Sequence, residues 1–170
     1  MKNMLFIMNP KAGRTTLKNS LVDVLEVFCN NDYAVRTYLT KSADDAERIV
    51  QEEGANYDVI VCAGGDGTLG NTVTGYMKSG IKVPLGYIPC GSTNDFARSM
   101  DIPRETVEAA EMIVKAEPFS IDIGSLNDKN FVYVAAFGMF SDTSYATPQN
   151  MKNIFCLLYT SPSPRDRTRS

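Results

Sequence analysis

Over its first 117 residues the chain alternates between short apolar runs and longer segments with helical spacing, and few architectures accept that alternation. Residues 3–9 (NMLFIMN) form an apolar run of strand length. Residues 16–31 place Leu17, Leu21, Val24, Leu25 and Phe28 on one helical stripe. Residues 33–39 alternate as a strand does. Residues 43–54 read as a helix framed by a Ser42/Asp45 capping box and closed by Gly54. Strands are predicted at 57–62 and 83–89. Helices are predicted over 68–80, weakened by Gly70 and Gly75, over 92–100, and over 103–117 with Pro103 in its first turn. The order βαβαβαβαα predicts an α/β sheet with helices on both faces, whose ligands bind in the loops at the carboxyl ends of the strands. Beyond Glu117 the texture changes, and residues 118–138 read as two strands around a turn at 127–129.

Composition narrows the chemistry. The chain has no histidine, which excludes a Ser-His-Asp triad, a Cys-His pair and histidine-based zinc sites. Its four cysteines, at 29, 62, 90 and 156, form no CxxC and read as reduced, mostly buried thiols. The net charge of −3 argues against nucleic-acid binding, although Lys11 with Arg14, Arg98 and the C-terminal tail are local basic spots. The longest apolar run, 131–140, is about half a membrane span, so no transmembrane anchor is expected and the chain reads as cytoplasmic.

Three strand-to-helix loops on one sheet edge carry unusual residues: NPKAG (9–13), GGDGTLG (64–70) and PCGSTNDFAR (89–98). Gly65, Gly67 and Gly70 match G-x-G-x-x-G. The dinucleotide version of that pattern follows the first strand and needs an acid about 20 residues on, whereas this loop follows the third strand and lacks the acid. No GxxxxGK[ST] occurs, and the partner motifs of a protein-kinase glycine loop are absent. The full string GGDGT is more specific. Its glycines are expected to adopt positive φ and let the backbone approach a ligand, and Thr68 is expected to cap the next helix, whose amides favour phosphate. Asp66 would repel a phosphate unless a cation lay between them, which suits Mg²⁺-nucleotide chemistry. In the other loops Pro10 stiffens and Gly13 frees the chain, and Lys11 and Arg14 add positive charge. Ser92, Thr93 and Asn94 supply donors, Asp95 a second carboxylate and Arg98 an anion partner. Asp122 is a carboxylate on an otherwise apolar strand, a candidate third acid for a metal.

Together NPKAG, GGDGTL, IPCGSTNDFAR, DIG and SYATPQNMKN resemble the soluble bacterial diacylglycerol kinases and their lipid-kinase relatives, and more distantly the NAD kinases. The likeness runs from Met1 to about Phe155. It implies a three-layer α/β nucleotide-binding domain over 1–120, followed by the start of a β-sandwich domain over 121–155, with the active site between them. It implies that ATP contacts Asn9, Pro10, Lys11, Ala12, Gly13, Thr40, Gly64, Gly65, Asp66, Gly67, Thr68, Leu69, Gly70 and Ser92. It also implies a water-bridged magnesium network on Asp66, Asp95 and Asp122, with Asp66 as the catalytic residue of this half, orienting the metal, and the general base beyond the end of this chain. The substrate would be diacylglycerol or a similar lipid taken from the inner membrane surface, with a homodimer as a candidate assembly. One departure stands out: where the family has Asn-Glu after GGDGTL, this chain has Gly70-Asn71, which removes a carboxylate.

From Ser161 onward the chain contains only Ser, Pro, Arg, Asp and Thr. Cys156 to Asp166 back-translates in frame to a string resembling a transposon-type sequencing-library adapter. Residues 156–170 are therefore set aside as a non-native tail, and the natural chain is expected to continue past about Phe155. Three functions follow from this reading: an ATP-dependent lipid kinase, a kinase of a soluble hydroxyl such as that of NAD, or a nucleotide-binding fragment without catalysis.

Overall fold

The structure, a computed structural model, describes residues 1–12, 16–121, 123–126 and 129–131. The expectations placed on Gly13, Arg14, Asp122 and everything from 132 onward lie outside the described residues.

The chain runs β1 (Lys2–Met8), α1 (Thr16–Asn30), β2 (Tyr33–Leu39), α2 (Asp45–Glu53), a 3-10 turn (Gly54–Asn56), β3 (Val59–Gly64), α3 (Asp66–Ser79), β4 (Leu85–Pro89), α4 (Asp95–Ser99) and α5 (Thr106–Lys115). A short antiparallel pair follows, β5 (Gly124–Leu126) and β6 (Lys129–Phe131). The first four strands form one parallel sheet in the order β2-β1-β3-β4.

Both faces of this sheet are covered, so its central strands are apolar on both sides. From β1, Met4, Phe6 and Met8 point to one face and Leu5 and Ile7 to the other. The first face packs on Leu17, Val24 and Phe28 of α1 and on Ala109 and Ala110 of α5. Phe6 and Phe28 meet edge to face, with ring centroids 5.9 Å apart. On the second face, Leu5, Ile7 and Ile60 pack on Ala46, Ile49 and Val50 of α2, while Cys62 and Tyr87 pack on Leu69 and Val73 of α3 and Phe96 of α4. This is the three-layer α/β arrangement that the alternation predicts.

Several boundaries differ from the sequence expectation, each for a local reason. β3 begins at Val59 rather than 57, because Asp58 is tied to Asn3 by its own N–H (2.9 Å to the Asn3 carbonyl) and by its carboxylate, which accepts from the Asn3 N–H at 2.7 Å. β3 then runs through Gly64, so the GGDGTLG segment is hardly a loop: Gly65 alone separates β3 from α3. The capping box at α2 is half formed. The Asp45 carboxylate reaches back to the Ser42 N–H (3.1 Å) and also to that of Lys41 (2.6 Å), and the helix starts at Asp45 itself. α5 starts at Thr106, after Pro103, because the Glu105 carboxylate accepts from the Val107 and Glu108 amides at 2.8 and 2.9 Å. Gly75 is the contact point of two helices, since a Cβ there would stand 2.4 Å from the Glu47 carbonyl oxygen of α2. The hairpin beyond α5 is confined, among the described residues, to 124–126 and 129–131, with 118–121 in no strand.

Candidate functional site

The strand order reverses direction between β1 and β3, since β1 connects outward to β2 and β3 outward to β4. Open α/β sheets bind ligands at the carboxyl ends of strands at such a switch point. The Asn9 N–H, just past β1, donates to the Ala63 carbonyl of β3 at 3.0 Å, so the two strand ends are fastened together there. Beside them lies an open cavity of about 350 Å³. Asn9 and Ala12 line it from the β1 loop, Thr40, Ser42 and Ala43 from the β2–α2 connection, Ala46 from the first turn of α2, and Gly65, Gly67, Thr68 and Asn71 from the start of α3.

Its floor is a small polar network. Asn9 to Ala12 is a tight turn closed by the Ala12 N–H on the Asn9 carbonyl (3.1 Å), and Pro10 sits at the second position, which its fixed φ suits. The Asn9 side chain accepts the Lys11 N–H on Oδ1 (3.0 Å), which orients the amide so that Nδ2 donates to Thr68 Oγ1, also at 3.0 Å. The Thr68 hydroxyl is thus an acceptor toward Asn9, and its proton is left to donate elsewhere. Thr68 is the third residue of α3, within its first turn, and does not cap it. The N-cap is Gly65 in extended conformation, and no side chain caps the helix. The first-turn amides, which have no partner within a helix, are therefore open to an anion and carry the positive end of the helix dipole.

The glycines serve space rather than left-handed backbone. Among the described residues Gly80 is the only glycine with positive φ, so the expectation for Gly64, Gly65, Gly67 and Gly70 is corrected. A Cβ on Gly64 would meet the Thr68 side chain at 2.6 Å, and one on Gly91 would meet the Gly65 Cα at 2.6 Å. Gly67 and Gly70 have nothing within 4 Å of where a Cβ would stand, which leaves room that a side chain would fill.

Asp66 is directed toward α4. Its carboxylate accepts from the Asp95 N–H (3.2 Å) and the Phe96 N–H (3.3 Å), capping α4 from outside the helix. The nominal N-cap, Asn94, sits in the left-handed region (φ 52°) and uses its side chain on Gly91: Oδ1 accepts the Gly91 N–H (2.8 Å) and Nδ2 donates to the Gly91 carbonyl (2.7 Å). The β4–α4 loop is also fixed to β3 by the Cys90 N–H and the Tyr87 hydroxyl, which both donate to the Gly64 carbonyl, at 2.8 and 3.1 Å. Burial and the neighbouring Asp66 charge push the Tyr87 phenol far above its usual range, so it is a permanent donor. Burial pushes the Cys62 and Cys90 thiols up to about 12.

Of the residues expected to hold a nucleotide, the cavity brings together Asn9, Ala12, Thr40, Gly65, Gly67 and Thr68. Pro10 and Lys11 stand in the adjoining turn, Gly64 ends β3, and Gly70 is on α3. The Leu69 side chain is buried in the core with Cys62 and Val73. Ser92 is exposed on the β4–α4 loop, outside the cavity lining. Asp95 is half-exposed and 3.8 Å from the Arg98 guanidinium. Asp66 and Asp95 are neighbours, but among the described residues no three acids or thiols converge as a metal site; Asp122 lies outside them. The sequence reading missed Ser42, Ala43, Ala46 and Asn71. A signal existed for the first three, since they follow the carboxyl end of β2 on the same edge as the chosen loops.

A parallel α/β sheet with a crevice and an uncapped helix start at its switch point defines the broad class: a doubly wound α/β domain with a cavity at its strand ends. The profile of the family described as "Diacylglycerol kinase catalytic domain" matches residues 3–126. Diacylglycerol kinases of Staphylococcus aureus strains JH9 and Newman are each 36% identical over 157 residues, covering 90% of this chain and 49% of theirs. A crystal structure of a diacylglycerol kinase from Bacillus anthracis superposes with a TM-score of 0.70 at 31% identity, over 76% of this chain and 48% of that one. The chain belongs to the diacylglycerol kinase catalytic domain family. It spans about half the length of the curated relatives it matches.

Proposed function

We propose that this chain is the nucleotide-binding half of an ATP- and Mg²⁺-dependent lipid kinase that phosphorylates the hydroxyl of diacylglycerol or a similar lipid. The observation that carries the reading is the cavity where the uncapped start of α3, the Asn9–Thr68 pair and the β2–α2 connection meet. Its residues fit the phosphate end of a nucleotide. The α3 amides and the Thr68 hydroxyl are donors, and Gly67 in the lining leaves open the space where a Cβ would stand. Mg²⁺ takes one or two carboxylates with water and phosphate oxygens, and Asp66 and Asp95 are the adjacent pair that would hold it through water. Bound Mg-ATP would supply the transferable phosphoryl group and neutralise charge as it develops. The chain's own part is to fix the triphosphate on α3, to hold the α4 loop against it through Asp66, and to keep the cavity wall in place. The base that takes the substrate proton belongs to the half that the relatives carry beyond this chain.

Among the described residues no helix is long and apolar enough to cross a membrane. A kinase of this kind would reach its lipid at the inner membrane surface from the cytoplasm.

Calorimetry with Mg-ATP tests the nucleotide reading on the chain itself, and binding is expected. Transfer of radiolabel from ATP to diacylglycerol in mixed micelles, by the product of the full natural reading frame, tests the lipid reading against NAD as the acceptor. Turnover on NAD without turnover on diacylglycerol would replace the lipid assignment. Binding without turnover by the 170-residue chain alone is the expected behaviour of a fragment holding half of an active site.

A further inference from the structure

Among the described residues, no side chain lining the cavity is charged. Its two parts nevertheless differ in chemistry. The start of α3 offers amides, a hydroxyl and the helix dipole, which suit phosphate. The β2–α2 connection and the first turn of α2 line it with Thr40, Ser42, Ala43 and Ala46, while Lys41 is exposed outside the described lining, which suits an uncharged group. Asn71 joins the two parts. It lies on α3 five residues beyond Asp66, about 7.5 Å along the axis at ~1.5 Å per residue. Its Nδ2 donates to the Ala43 carbonyl at 2.7 Å. A carbonyl only accepts, so this bond fixes which way the amide faces.

We propose that Asn71 is the positioning residue for the nucleoside end of the ligand: it ties the 40–43 wall to the same helix that takes the phosphates. This rests on the nucleotide reading above. The rest of the wall is already held. The Thr40 N–H donates to the Met8 carbonyl (2.9 Å), and the Asp45 carboxylate accepts from Lys41 and Ser42 on the outer side. Gly75 lets α2 approach α3 closely, and Lys78 pairs with Glu47 at 2.8 Å between the same helices. The Asn71–Ala43 bond is the tie made by a cavity-lining side chain. An ionised carboxylate at 71 would have no proton to give the Ala43 carbonyl and would add negative charge beside the helix start proposed to take the phosphates. The asparagine can therefore make a tie that an ionised carboxylate could not.

The test compares Mg-ATP with Mg-tripolyphosphate, which has the phosphates and no nucleoside, by calorimetry on the chain and on Asn71→Ala. Asn71 is half-exposed, and circular dichroism verifies that the variant folds. Loss of the tie is expected to weaken Mg-ATP about tenfold, the equivalent of one neutral hydrogen bond at the upper end of its range, and to leave tripolyphosphate within about twofold. Equal losses for both ligands mean a general structural role and overturn the proposal, as does an unchanged affinity for Mg-ATP. Failure of the unsubstituted chain to bind Mg-ATP overturns the nucleotide reading and this inference with it. Normal binding by the unsubstituted chain with an indifferent Asn71→Ala overturns this inference alone.

Discussion

Gly65 and Gly91 meet backbone to backbone, so that a Cβ added to Gly91 would stand 2.6 Å from the Gly65 Cα and 2.7 Å from Asn94 Oδ1. Neither glycine has positive φ. What the contact requires is the absence of a side chain where two strand-to-helix connections touch. Gly91→Ala is expected to push the β4–α4 loop away from the start of α3, at about 1–3 kcal/mol for an overpacked site. Urea unfolding followed by far-UV circular dichroism, suited to a chain without tryptophan, measures it. An unchanged midpoint would show that the two loops separate freely.

Asp66 holds the first amides of α4 at 3.2 and 3.3 Å. Asp66→Ala leaves those amides without the carboxylate and is expected to lose about 0.5–2 kcal/mol, the range for a removed helix cap. Asp66→Asn keeps one carbonyl acceptor and should lose less. If Asp66 also arranges magnesium, both variants abolish phosphoryl transfer by the full-length enzyme while differing in stability. Transfer retained in Asp66→Asn would leave the residue with a capping role only.

The Asp45 carboxyl lies low, at about 2 against an ordinary 3.8, chiefly because it accepts from the Lys41 and Ser42 amides and then because of Arg48. A carboxyl depressed in the folded state stabilises the fold above its unfolded value, and that contribution fades as pH falls from near 4 toward 2. The stability gap between the parent chain and Asp45→Asn is therefore expected to be constant from pH 7 to about 5 and to shrink below 4. Unfolding midpoints at stepped pH read this directly. A gap independent of pH would mean that Asp45 is not held by those amides.

Much of this arrangement is legible in the residues. The periodicity of 3–9, 16–31 and 33–39 locates β1, α1 and β2 within a residue or so, because both faces of the sheet are buried and the apolar pattern has to be strict. The strings NPKAG and GGDGT mark loops that do meet at one cavity. What the string does not carry is direction. Asp66 reads as a carboxylate beside a phosphate loop, yet it reaches across to α4, a contact 29 residues away that no local spacing announces. The glycines of GGDGTLG suggest left-handed turns. Their use is steric, set by Thr68 and by Gly91, which is equally remote in sequence. Asn71 is visible as a departure from the family's acid, but its meaning depends on the Ala43 carbonyl, which arrives from another helix connection.

The thiols offer a test of how tightly the site's supports are packed. Cys62 and Cys90 are buried in and beside the central strands, and burial raises both to about 12, whereas Cys29 is exposed on α1. A raised thiol favours the folded state below its unfolded value near 9, and that advantage is lost as pH climbs through 9 toward 12. At neutral pH the folded chain, with Cys156→Ser to remove the remaining thiol, should alkylate quickly at Cys29. It should alkylate at Cys62 and Cys90 only through opening of the structure. Peptide mass spectrometry assigns each site. Mg-ATP at about 100 times its dissociation constant should slow the two buried thiols by up to about a hundredfold, if the opening that exposes them also dismantles the cavity, and should leave Cys29 unaffected. Cys90 immediately precedes Gly91, whose backbone presses on Gly65 in the cavity lining, so its opening is the one most directly coupled to the ligand. Equal labelling of Cys90 with and without nucleotide would show that this loop moves independently of the bound state, and would remove it from the site.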